Sequence, residues 1–206
     1  ASIILIVFWA SFEQAGGLLN IFAFEKTDRM LKSLNFLVPA SWFQSINPLL
    51  IILLGFFVSS FWLRMQTTRF AGSIFKMSVG IMIMGFGFVF MLIASHQSDY
   101  LGKSPMYWLF LAYLFHTVGE LCASPVALSF ITKLSPKKIV SSVMGLYFAA
   151  IGTGNKIAGI IGEYSEKLGE KTIFLGIIIV CLSVGAIVLL LQNKLDRLAH
   201  NADKTT

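Results

Sequence analysis

A bundle of six transmembrane α-helices, an all-α membrane protein, is the fold predicted for this chain of 206 residues. Three observations lead there. Hydrophobic residues make up 56% of the chain and charged ones 13%, against roughly 25% charged in soluble domains. Mean hydropathy is +0.79. The apolar residues gather into six runs, each long enough to cross about 30 Å of hydrocarbon at about 1.5 Å per residue, and none alternates with the period of two that a membrane strand needs.

The first run, about 2–24, carries Glu13 in its middle, and at helical spacing Trp9, Glu13, Gly16, Gly17 and Asn20 share one stripe. The second, 43–63, has Asn47 and Pro48 near its start; a turn or cap role for Asn47 and a ligand-binding one both fit. The third covers 74–95. The fourth, 106–132, sets Tyr113, His116, Thr117, Glu120 and Ser124 on one face, and Pro125 removes a backbone donor just beyond the carboxylate, inviting a kink. On the fifth, 140–164, Gly145, Ala149, Gly152, Lys156 and Gly159 line up as a small-residue packing seam, with Asn155 beside it. The sixth, 172–191, closes a membrane domain of residues 1–192, leaving 193–206 as a tail.

Basic residues orient the bundle, because Lys and Arg are retained on the cytoplasmic side. Arg64, Arg69, Lys76, Lys133, Lys137, Lys138, Lys194, Arg197 and Lys204 fall on one side, against Lys26, Arg29, Lys32, Lys103, Lys167 and Lys171 on the other. Nine against six places both termini inside. The net charge of +6 is therefore mostly topology, and basic residues scattered over short loops give no nucleic-acid surface.

Other chemistries find little footing. Cys122 and Cys181 each lie inside a span, where free Cys behaves as a small hydrophobe. No H-E-x-x-H, G-x-S-x-G or G-x-x-x-x-G-K-[ST] motif is present, so metalloprotease, serine hydrolase and ATP-driven pump signatures are missing. His116 lies one turn from Glu120, but two ligands are too few for a metal site, and a supporting or packing role is the simpler reading. Lys156 either snorkels towards the outer face or pairs with a carboxylate. A carboxylate at mid-membrane costs about 2.5–3.5 kcal/mol on insertion scales and by default marks an ion or substrate pathway. Glu13 and Glu120 are such carboxylates.

"FWASFEQAGGLLNIFAFEKTDR" (8–29), "VPASWFQSINPLLIILL" (38–54), "GELCASPVALSFITKLSP" (119–136) and "MGLYFAAIGTGNKIAG" (144–159) resemble, in order, the C-terminal half of the proton-dependent oligopeptide transporters of the major facilitator superfamily. The resemblance implies that the six spans are helices seven to twelve of that fold. It also implies proton-coupled import of di- and tripeptides by alternating access, driven by a proton gradient with no cofactor. In such a transporter Glu120 would accept the peptide ammonium, with Asn47 bonding the same group and Ser124 nearby. Trp9, Gln44 and Tyr147 would line side-chain space; the family commonly has Trp at the position of Tyr147. Glu13 would pair with basic residues of the other half and take part in proton coupling, and Glu25 resembles an acid that closes the extracellular gate.

The partners so implied are small peptides, protons, the lipid bilayer of a cell membrane and an N-terminal six-helix half. The E-x-x-E-R-F-x-Y-Y motif of that half is absent here, and the chain starts without Met and goes straight into an apolar run, so a fragment of a longer chain is expected. Three other readings fit less well: a carrier of nitrate or another solute in the same family, a six-span intramembrane enzyme using His116 and Glu120, and a non-transporting membrane interaction protein.

Overall fold

Helices account for most of the residues that the computed structural model describes, which are 2–66, 72–136 and 138–198. In chain order they are α1 (Ser2–Phe12), α2 (Leu18–Lys26), α3 (Ile46–Arg64), α4 (Ser73–Leu101), α5 (Met106–Leu134), α6 (Val140–Leu168), α7 (Glu170–Leu190) and α8 (Gln192–Leu198). Short 3₁₀ turns cover Glu13–Ala15 and Ala40–Ser45. Two-residue strands lie between the helices: Thr27–Asp28 pairs in parallel with Ser104–Pro105, and Met30–Leu31 pairs with Phe36–Leu37 in a small hairpin. Arg69, Lys137 and Lys204, counted above among the inner-side charges, lie outside the described residues, as does the chain beyond residue 198.

By length and composition, five helical stretches suffice to cross a membrane: Ile3–Lys26, Ala40–Arg64, Ser73–Leu101, Met106–Leu134 and Glu170–Leu190. The remaining long helix, α6, has 29 residues and is long enough, but it is less apolar. Its polar residues explain the difference, since Thr153, Asn155, Lys156 and Glu163 are all exposed along it.

The core sits around α4, which packs between α5 and α7. Ile81, Met84, Phe88 and Met91 on α4 have no solvent-accessible surface, and Leu109, Ala112 and Phe174 meet them from α5 and α7. More than half of the most apolar window of α4 is buried (56%), against 11% for the segment containing α3, so α4 is the centre of the bundle and α3 its margin. Lipid tails are as apolar as Leu, so it is close packing rather than hydrophobicity that brings membrane helices together. Gly80 and Gly119 supply that approach between α4 and α5. A Cβ on Gly80 would stand 2.7 Å from the Gly119 carbonyl oxygen, and one on Gly119 2.6 Å from that of Gly80.

Two expectations change. The first apolar run is not one continuous helix: α1 tightens into the 3₁₀ turn at Glu13, and the amides of Gly16 and Gly17 both donate to the Glu13 carbonyl, at 3.2 and 3.3 Å. Helical spacing across Gly16 and Gly17 therefore does not hold, and the stripe from Trp9 to Asn20 is interrupted. The proposed packing seam on α6 is also reversed. Gly145, Gly152 and Gly159 have nothing within 4 Å of a built Cβ, and Ala149 and Lys156 are exposed with them. Gly154, on another face, makes the close contact: its Cβ would lie 2.8 Å from the Cβ of Trp9, which is where α1 and α6 pack. A helix face with small and polar residues and no packing partner among the described residues is open, whereas a seam would be closed.

At one end of the bundle, charges tie three helices together. Lys26 at the end of α2 pairs with Glu170 at the start of α7 at 2.9 Å; Glu170 also accepts from Ser95 of α4, and Lys171 pairs with Asp99 of α4. Helix α5 runs on through Pro125, and Cys122 and Cys181 are buried free thiols.

The glycine crossing generates an expectation. In the full-length protein Gly119→Leu overpacks the α4–α5 contact, a class of change that costs about 1–3 kcal/mol, and lowers the thermal midpoint in detergent. Gly55→Ala, where nothing lies within 4 Å, leaves it in place. Equal midpoints for the two variants would contradict the close approach.

Candidate functional site

Asn47 stands in the first turn of α3, where the missing N–H of Pro48 removes no intrahelical bond. From there its Nδ2 donates to Oε2 of Glu120 on α5 at 2.8 Å and to Oγ1 of Thr117 at 3.1 Å. Thr117 in turn donates to the carbonyl of Tyr113 at 2.8 Å. The Tyr113 hydroxyl then donates to the carbonyl of Ala15 at 2.9 Å. That carbonyl lies where α1 has just ended, so the tyrosine satisfies an acceptor released by the helix break, which hydrocarbon cannot do. One chain of hydrogen bonds thus runs from the broken first span through α5 to α3.

Burial grades along this chain. Thr117 is fully buried and Tyr113 nearly so, while Glu120 and Asn47 are half-buried, so the polar network opens outwards at the carboxylate. Among the described residues no Lys or Arg pairs with Glu120. A carboxylate held by one neutral amide, with an open side, is suited to receiving a cationic donor.

The other expected site residues divide into groups. Ser124 lies one turn beyond Glu120 on the same face of α5 and is half-buried. Gln44 is exposed in the 3₁₀ turn before Asn47 and bonds to neither Asn47 nor Glu120. Trp9 is half-buried on α1 against α6, with its indole Nε1 buried and unpartnered; Tyr147 is buried on α6. Glu13 begins the 3₁₀ break and is half-buried, Glu25 is exposed near the end of α2, and neither makes an ion pair among the described residues.

His116 is fully buried, its ring centroid 4.5 Å from that of Phe88, and neither ring nitrogen has a hydrogen-bond partner among the described residues. Among the described residues no third His, Cys, Asp or Glu joins His116 and Glu120. Lys156 is exposed and pairs with no carboxylate among the described residues.

Sequence reading passed over Gln14. It is buried and donates from Nε2 to the carbonyls of Ala10, at 3.1 Å, and Ala158, at 3.2 Å, so it fastens α1 to α6 next to Glu13. The signal available was an amide directly ahead of a Gly-Gly pair inside an apolar run, where a released backbone would need side-chain partners.

Comparison with known proteins gives consistent matches. The POT family model matches residues 2–180. Peptide transporter YePEPT of Yersinia enterocolitica is 38% identical over 201 residues, which cover 94% of this chain and 39% of that protein. A di-/tripeptide transporter of Lactococcus lactis is 29% identical over 195 residues, covering 94% of this chain and 39% of that one. Among solved structures, a POT family transporter in complex with 5-aminolevulinic acid superposes with a TM-score of 0.83 at 27% identity, covering 94% of this chain and 40% of that one. The chain thus spans about two fifths of the length of the relatives it matches.

Proposed function

The chain belongs to the POT family of transporters, and from that premise we propose that it supplies the C-terminal half of a proton-coupled importer of di- and tripeptides that works by alternating access. Family and structural relatives are transporters rather than enzymes, and the apolar helices make this a multi-pass membrane protein. One observation carries the reading furthest: two residues expected at the acidic end of a peptide site, Asn47 and Glu120, come from different helices and meet at 2.8 Å with the carboxylate half-open.

In this proposal the peptide ammonium docks on Glu120 and Asn47, and Ser124 contributes a hydroxyl one turn away. A low-dielectric cavity makes the match of charge selective, because an ammonium without a counter-charge is strongly disfavoured there. The 5-aminolevulinic acid bound by the related transporter shares with a peptide a primary amine at one end and a carboxylate at the other. Trp9, Gln44 and Tyr147 line the space for side chains. With Tyr147 where the family commonly has Trp, that space has a different outline.

Glu13 is proposed as the coupling acid. It pairs with a cation of the other half in one state and exchanges that partner in the next. The placement of Glu13 at a helix break supports this, since broken helices at mid-membrane are where transporters gather ion and substrate sites. Glu25 is proposed to close the outer gate.

The open face of α6 supports a missing partner. Lys156 and Asn155 exposed to lipid at mid-membrane would be costly, at roughly 2.5–3.5 kcal/mol for the lysine, whereas a face turned to a second six-helix half or a watery cavity accommodates both. On this reading α6 is the remaining span, giving six, and the basic-residue count puts both termini on the cytoplasmic side of a cell membrane.

Two outcomes are expected in the full-length transporter. Glu120→Gln weakens binding of a free-amine dipeptide by about tenfold or more, as for loss of a charged hydrogen bond, with little change for its N-acetylated analogue; equal loss for both peptides would remove the ammonium role. Glu13→Gln abolishes uptake driven by an inward proton gradient while leaving peptide exchange without a gradient. Unchanged accumulation under the gradient would exclude Glu13 from coupling.

A further inference from the structure

We infer that Thr117 is a positioning residue that fixes which end of the Asn47 amide faces the substrate, an inference that rests on the ammonium site proposed above. A threonine hydroxyl has one proton, and here it goes to the Tyr113 carbonyl at 2.8 Å. With that proton committed, the Thr117 oxygen serves as an acceptor. It accepts from Nδ2 of Asn47 at 3.1 Å, while the second Nδ2 proton goes to Oε2 of Glu120 at 2.8 Å.

Both amide protons are therefore used on the protein, and Oδ1 of Asn47 is the amide atom left to accept from a ligand. Turning the amide over would set Oδ1 against the Thr117 oxygen and the Glu120 carboxylate, acceptor against acceptor. Glu120 alone would not hold the amide in every state, because a protonated Glu120 could donate to a turned-over Oδ1 and so stabilise the wrong orientation. Thr117 favours the observed orientation in either case, since donating to a turned-over Oδ1 would cost it the bond to the Tyr113 carbonyl. The lock rests on a buried side chain and on backbone, since Thr117 is fully buried on α5 one turn beyond Tyr113.

The consequence is specificity. On this inference Oδ1 of Asn47 and the second oxygen of Glu120 are the two acceptors offered to the substrate. An ammonium, with three N–H donors and a positive charge, satisfies both; an N-acetylated terminus brings one N–H and no charge. With the amide turned over, the site would offer an NH₂ to the incoming ammonium and lose half of its acceptors.

The test is competition for uptake of a labelled dipeptide by the full-length transporter, using a free-amine dipeptide and its N-acetylated analogue as competitors. Thr117→Val keeps the shape and removes the hydroxyl; Thr117→Ser keeps the hydroxyl; Glu120→Gln is run beside them. The expected result for Thr117→Val is a rise of about tenfold in the half-inhibitory concentration of the free-amine peptide. The value for the acetylated analogue and the maximal uptake rate stay within about twofold, and Thr117→Ser behaves as the parent. If Thr117→Val does not accumulate in the membrane, Thr117→Ala serves the same comparison. Equal loss for both peptides, or no rescue by serine, would overturn the positioning role. Selective loss in Glu120→Gln without any in Thr117→Val would overturn it while leaving the ammonium site standing. No selective loss in Glu120→Gln would instead overturn the ammonium site itself, and the inference with it.

Discussion

Hydrocarbon offers no hydrogen bonds, so each polar atom carried into the membrane has to be satisfied by the protein, by a partner or by water in a cavity. Much of this structure follows from that constraint. Where α1 ends at Glu13, carbonyls are released, and Tyr113 reaches across from α5 to take the one on Ala15. Gln14 takes those of Ala10 and Ala158 and in doing so fastens α1 to α6. The same relay passes through Thr117 to Asn47 and stops at Glu120, the member with an open side. The deep members of this relay are bonded within the protein, and the carboxylate at its open end is left for something else.

Packing divides the helices in a matching way. α4, α5 and α7 form the most closely packed part, joined by the crossing of Gly80 and Gly119 and by an apolar core with almost no exposed surface. α1 and α6 form a second pair held at Gly154 and Gln14. The residues proposed for the site are divided between these parts: Glu120 belongs to the α4–α5–α7 packing, whereas Trp9, Glu13 and Tyr147 belong to the second pair. Such a division fixes the residue proposed to hold the ammonium and leaves those proposed for coupling and for pocket shape on helices with fewer packed neighbours.

The helical membrane class was legible from composition and run length alone, because a segment able to span hydrocarbon needs so many apolar residues in sequence. The face of α5 was legible too: Tyr113, His116, Thr117 and Glu120 fall at helical spacing, and the helix is continuous through them. The break inside the first span was not, because spacing arguments presume an unbroken helix, and the helix is interrupted between Glu13 and Gly17. The glycines of α6 misled for another reason. A small residue on a helix face permits close approach but does not say whether a neighbour is present, and the packed glycine turned out to be Gly154 rather than Gly145, Gly152 or Gly159. The Asn47–Glu120 contact joins residues 73 apart in sequence, which no local pattern could have placed at 2.8 Å; the family resemblance supplied both residues, and the geometry supplied Thr117 between them.

The most direct measurement is a structure of the full-length transporter with a bound dipeptide, at a resolution that orients the peptide. The account predicts the peptide amino nitrogen within about 2.7–3.2 Å of both the Glu120 carboxylate and Oδ1 of Asn47. A peptide lying with its carboxylate at Glu120, or bound away from α3 and α5, would contradict it.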